Sequence, residues 1–207
     1  MRRIQKKQEP VELAQSRLDG RSYKNLDRDT KGAMQKYLCV EQYYLCCFCE
    51  SRIMPTGQAM RIAHFVPRSV ASERQLEWTN LLGSCHGNAL TESSSQSPTV
   101  DNRGLHCDAR QRDRELDPRL DPGGLADGIV FFRPDGKIDS HDLIIQENLQ
   151  SILNLNHPRL VRARLARLDE LIDAVENPNI QAVTLIKPVP DSQGYLDEYF
   201  TFLSSVI

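Results

Sequence analysis

Apolar and polar positions alternate along the chain in ways that predict a mainly helical protein with two short strand-bearing stretches. From Asp29-Thr30 to Tyr44, Met34, Tyr37, Leu38 and Tyr43 recur at helical spacing, so a packing helix is expected there, capped by Asp29 or Thr30. Ahead of it, Glu9-Pro10-Val11-Glu12-Leu13 can open a short helix that Asp19-Gly20 breaks. Met60 to Val66 reads as a strand stopped by Pro67, and residues 71–77 as polar loop. Trp78, Leu81 and Leu82 are apolar anchors around Asn80. Gly87 to Leu105 is rich in Ser, Thr, Asn and Gln and predicts a long exposed loop, after which Asp108 to Asp113 begins a helix. Beyond a linker at Pro118–Gly124, Gly128 to Ile138 predicts a hairpin with Asp135-Gly136 at its turn. Ile144–Leu155 and a stronger helix from Pro158 follow. The second carries Leu160, Val161, Leu165, Leu168, Leu171, Ile172 and Val175 on one face, with Arg159, Arg162, Arg164 and Arg167 as a basic N-terminal half, read as a solvated face with a phosphate or partner surface as the alternative. The apolar tail Tyr195–Ile207 predicts a helix that docks on the core or on another subunit.

Charge narrows the possibilities. The formal net charge of −2 over 207 residues excludes a chain that coats nucleic acid by bulk attraction, so phosphate contacts must come from local patches or a partner. The apolar runs are too short to span a bilayer, and the basic start Met1–Lys7 lacks an apolar signal segment, so a soluble cytoplasmic protein with no membrane role is expected.

Six cysteines in such a chain favour metal ligation over disulfides, and five of them fall between Cys46 and Cys107. Cys46-x-x-Cys49 has the spacing of a zinc knuckle, in which a tight turn aims two thiolates at one ion. Cys47-x-Cys49 is too short for that turn, which selects Cys46. Taken in order, Cys46-x-x-Cys49, His64-Phe65-x-Pro67, Trp78-x-Asn80-Leu81-Leu82, Cys85 and His106-Cys107-Asp108 resemble the HNH endonuclease superfamily. The order, with Ile152–Leu160, is similar to the PtuB nuclease subunits of Septu-type defence systems, including retron-linked ones.

The resemblance implies an α+β fold: a mainly helical chain around a zinc-clamped ββα-metal nuclease module. Residues 1–45 would form an N-terminal helical segment, 46–117 the module, and 118–207 a hairpin plus helical region able to dock a partner. It also implies that Cys46, Cys49, Cys85 and Cys107 hold a structural Zn²⁺, that His64 is the general base, and that Asn80 orients the histidine's loop. Asp108 stands at the third catalytic position, where it can hold Mg²⁺ or Mn²⁺, with His106 and His86 as runners-up. The acidic residue usual before the first histidine is Ala63 here, so another ligand must replace it, with Asp101 and Asp113 as candidates. The activity the resemblance implies is phosphodiester hydrolysis of DNA or RNA in anti-phage defence, under an ABC-type (PtuA-like) ATPase, with a retron complex as a further setting. The alternative is a non-catalytic, zinc-stabilised module that binds nucleic acid or a partner.

Overall fold

The computed structural model describes residues 1–89, 104–175 and 190–206. The loop expected after Gly87 therefore lies mostly outside the described residues, as does Asp101. Helix α1 (Val11–Leu18) begins after Pro10. Helix α2 (Arg28–Glu41) is capped by Asp27 rather than by Asp29 or Thr30, because the Asp27 carboxylate accepts from the Thr30 amide. Met34 and Leu38 of α2 are fully buried.

Strands β1 (Arg61–His64) and β2 (Leu81–Ser84) pair antiparallel, setting Ala63 opposite Leu82 and His64 opposite Leu81. Helix α3 (Cys107–Gln111) packs on β1, completing a ββα unit. Buried Gln42 ties α2 to this unit: its amide accepts from the Gly83 N–H and donates to the carbonyls of Gly83 and Leu45. Buried Glu41 does the same for the N-terminal segment, accepting from Lys6, the Lys7 amide and the Trp78 indole. The second hairpin is β3 (Phe131–Phe132) against β4 (Ile138–Asp139), with Gly136 at φ +77° in its turn. Helix α4 (Leu143–Glu147) runs into a π-helical turn over 148–152, and α5 (Pro158–Val175) follows.

Two expectations need correction. Arg164 does not belong to a solvated basic face; it is 1% exposed. On the apolar side of α5, Ile172 is exposed.

The tail forms α6 (Phe200–Val206), and Leu196, Tyr199, Phe202 and Leu203 are buried against this chain itself. Phe202 meets Phe132 of the hairpin edge-on at 5.7 Å. Around residues 43–52 the tail is strapped by backbone bonds from Leu196 to Tyr43 and from Tyr199 to Glu50. The buried Glu50 carboxylate accepts from both the amide and the hydroxyl of Thr201, and lies 3.3 Å from the Met1 amino group. No helix among the described residues is long and apolar enough to cross a membrane.

Candidate metal centre and catalytic cleft

Cys46, Cys49, Cys85 and Cys107 converge, with all four sulfurs within 4.8 Å of one another. Sulfurs about 2.3 Å from a tetrahedral zinc stand roughly 3.8 Å apart. The Cys46–Cys107 and Cys49–Cys85 separations are 3.9 and 3.7 Å, so these four residues fit zinc closely. Cys47 is outside the cluster; burial pushes its thiol well above the ordinary range.

Local geometry explains how three separate segments reach one point. In the first knuckle the Cys46 amide donates to Ser51 and the Glu50 amide to Cys46, with Glu50 at φ +64°. In the second, Gly87 adopts φ +56° and lies so close to the next segment that a Cβ there would sit 2.0 Å from the His106 carbonyl oxygen. Cys107, also at positive φ, is pinned by its amide to the Leu153 carbonyl. His106 borders the cluster, with Nδ1 3.2 Å from the Cys107 sulfur.

His64 ends β1 in an open cleft of about 390 Å³ lined by Tyr23, Arg61, Arg68, Asp108, Arg112 and Asp113 among others. Its Nε2 lies 3.0 Å from the Gln75 carbonyl oxygen. A carbonyl only accepts, so Nε2 carries the proton and a neutral ring keeps its lone pair on Nδ1. Burial, with Arg68 nearby, pushes the imidazole down to about 4, against the pull of the Gln75 bond. The ring is therefore neutral at pH 7. Tyr23 packs edge-on to it at 4.7 Å.

Asn80 is 1% exposed and holds the loop between the two strands closed. Its Oδ1 accepts from the Val66 amide, and its Nδ2 donates to the carbonyls of Val66 and Arg74. Asp108 shares the cleft with His64, whereas His86 and His106 line a different hollow with Cys85, Arg159 and Tyr199. Burial raises the Asp108 carboxyl, and Arg61 opposes this through an ion pair of 2.7 Å. Ala63 is sealed in the core, so the position that is acidic in the resembling family does not open onto this cleft. Asp113 accepts from the Ser69 hydroxyl.

Sequence reasoning did not single out Tyr23, Arg61, Arg68 or Gln75, whereas Arg112 belongs to the 108–113 helix start whose arginines were read as able to face phosphates. Gln75 acts through its backbone and leaves no mark in a residue pattern. Arg68, directly after the His64-Phe65-x-Pro67 motif, could have been noticed.

No family model matches the chain. It is similar to a curated protein of Escherichia coli named "Retron Ec83 putative HNH endonuclease", at 25% identity over 182 aligned residues, covering 72% of this chain and 69% of that protein. That likeness supports a nuclease of HNH type.

Proposed function

We propose that this chain is a metal-dependent HNH endonuclease that hydrolyses phosphodiester bonds with His64 as general base. The supporting observation is the His64–Gln75 hydrogen bond, which leaves a neutral imidazole with its basic nitrogen available in a cleft. Nδ1 takes a proton from water, the water oxygen bonds to phosphorus, and the opposite P–O bond breaks. General base catalysis of this kind contributes roughly 10²–10⁴-fold. Asn80 positions the His64 loop without touching substrate. Arg61, Arg68 and Arg112 offer guanidinium groups to the phosphate oxygens. Asp108 and Asp113 would hold a Mg²⁺ or Mn²⁺ ion, whose chemistry is to stabilise charge on the phosphate and leaving oxygen.

The chain acts as the effector of an anti-phage system and is gated by an ABC-type ATPase. This finer reading rests on the Septu-type residue order and on the word "retron" in the relative's name. A net charge of −2, which gives little long-range pull on a polyanion, agrees with a partner that supplies substrate grip.

Two observations favour a second reading as a binding module: the Asp108 carboxylate is already paired with Arg61, and Ala63 supplies no acid. Incubating the chain, alone and with its ATPase, with plasmid and total RNA in Mg²⁺ or Mn²⁺ separates the two. Cleavage abolished by EDTA and by His64→Ala supports the nuclease. Binding without cleavage under every condition supports the module, and cleavage undiminished in His64→Ala removes His64 as the base.

A further inference from the structure

Arg164 is the largest fully buried side chain among the described residues. Its Nη1 donates to the carbonyls of Gly136 and Leu155, and its guanidinium stacks over Phe132 at 5.2 Å. Nε and Nη2 are buried with no hydrogen-bond partner, and the Glu50 carboxylate acts on the group without a direct ion pair among the described residues. A charge buried without an ion partner is costly, so something else must supply the opposite sign.

Arg164 holds the Leu155 carbonyl, and Cys107 donates its amide to the Leu153 carbonyl two residues earlier, so one short backbone segment joins the guanidinium to a cluster cysteine. Arg159, Leu160 and Ala163 line one hollow together with Cys85, His106 and Tyr199, so this part of the helix borders the thiol cluster. Burial lowers the affinity of Arg164 for its proton, while Cys49, Tyr199, Glu50 and Cys107 restore part of it. Two of those four are cluster cysteines. One Zn²⁺ on four thiolates leaves about two net negative charges, and that complex too is enclosed by protein.

We propose that Arg164 is the buried counter-cation of the tetrathiolate metal site, so that the anionic metal cluster and α5 are held together by one charge. It is an outer-shell residue that ligates nothing. It sets how firmly the four sulfurs keep the ion and ties the helical C-terminal region to the nuclease unit. The inference rests on the cluster holding zinc but is independent of the cleavage chemistry.

The test compares the full-length zinc-loaded chain with Arg164→Lys, Arg164→Gln and Arg164→Met. Zinc affinity is measured by competition with a chromogenic chelator, the thiolate-to-metal bands after cobalt substitution, and α5 protection by hydrogen exchange. Loss of an outer-shell partner typically weakens metal binding 10–100-fold. That loss is expected in the Gln and Met variants, with shifted cobalt bands and faster exchange in α5, while Lys stays close to wild type. Wild-type zinc affinity and unshifted bands in Gln and Met would overturn the proposal and leave Arg164 a hydrogen-bonding residue. Should Gln and Met fail to fold, Lys decides: it keeps the charge but lacks the planar fork. Near wild-type zinc retention in Lys supports the counter-cation, and a large loss overturns it. A wild-type chain that contains no zinc would instead refute the premise.

Discussion

His64 and Gln75 are joined by a ring nitrogen and a backbone carbonyl 3.0 Å apart, and that contact fixes which face of the imidazole is basic. The bond lies inside the loop that Asn80 closes, so the protonation state of the cleft is tied to the loop's backbone shape.

The first consequence concerns pH. Burial pushes His64 down to about 4, against an ordinary value near 6.5, so the unfolded chain binds the extra proton across that window. The contribution to stability is fully present above about 6.5 and is lost as pH falls toward 4. Cleavage should show no histidine-type acid limb near 6.5. Thermal melts and rates between pH 4 and 8, compared with His64→Gln, measure both. A wild-type limb centred at 6.5 contradicts the buried, neutral base.

Asn80→Ala should loosen the loop. Removing Oδ1 leaves the Val66 amide without its partner, a loss of about 1–3 kcal/mol when the group stays buried. A lowered melting temperature is expected together with a rate loss larger than the stability loss explains. Asn80→Asp keeps the acceptor but loses both donated bonds, so it should fall between Ala and wild type. An Ala variant with full activity would mean that the loop does not position His64.

Cys49→Ser and Cys47→Ser should differ sharply although the residues are two apart. Cys49 belongs to the four-sulfur cluster and Cys47 does not. The first should lose tightly held zinc and fold poorly, because metal binding contributes directly to folding. The second should retain one zinc per chain by elemental analysis. Equal zinc content in the two variants would break the assignment.

All four cysteines of the cluster were expected from the sequence, two by spacing and two through the family resemblance. Cys46 and Cys49 announce themselves by spacing, but Cys85 and Cys107 reach them only through β2 and α3, across separations of 36 and 61 residues. The helices and the 128–138 hairpin follow from periodicity and turn chemistry. The candidate cleft does not, since Gln75 contributes a carbonyl and Tyr23 comes from a turn before α2. Arg164 had a signal that was available: it lies four residues after Leu160 and seven before Leu171, on the apolar side of α5. A charged residue inside an apolar stripe is more informative than its arginine neighbours. The tail was ambiguous because an apolar helix fits an own core and a partner equally well until its contacts are seen.

Phe202→Ala should test the tail. The side chain is fully buried against the hairpin and α5, so about 3–5 kcal/mol of stability should be lost. Deleting residues 195–207 should cost more and lower zinc retention, because the deletion also removes Thr201 from Glu50. A truncated chain that melts like wild type would return the tail to the role of a partner-docking element.

The Glu50–Thr201 contact joins residues 151 positions apart, and Glu50 sits next to Cys49 of the four-sulfur cluster. Contacts so distant along the chain close late and slow folding. During synthesis, the first knuckle therefore emerges long before the segment that completes its surroundings. A growing chain carries His64 and its cleft residues well ahead of the strap around residues 43–52. Maturation of the four-sulfur cluster would then wait for the segment around Thr201, so the order of synthesis itself delays its finished surroundings.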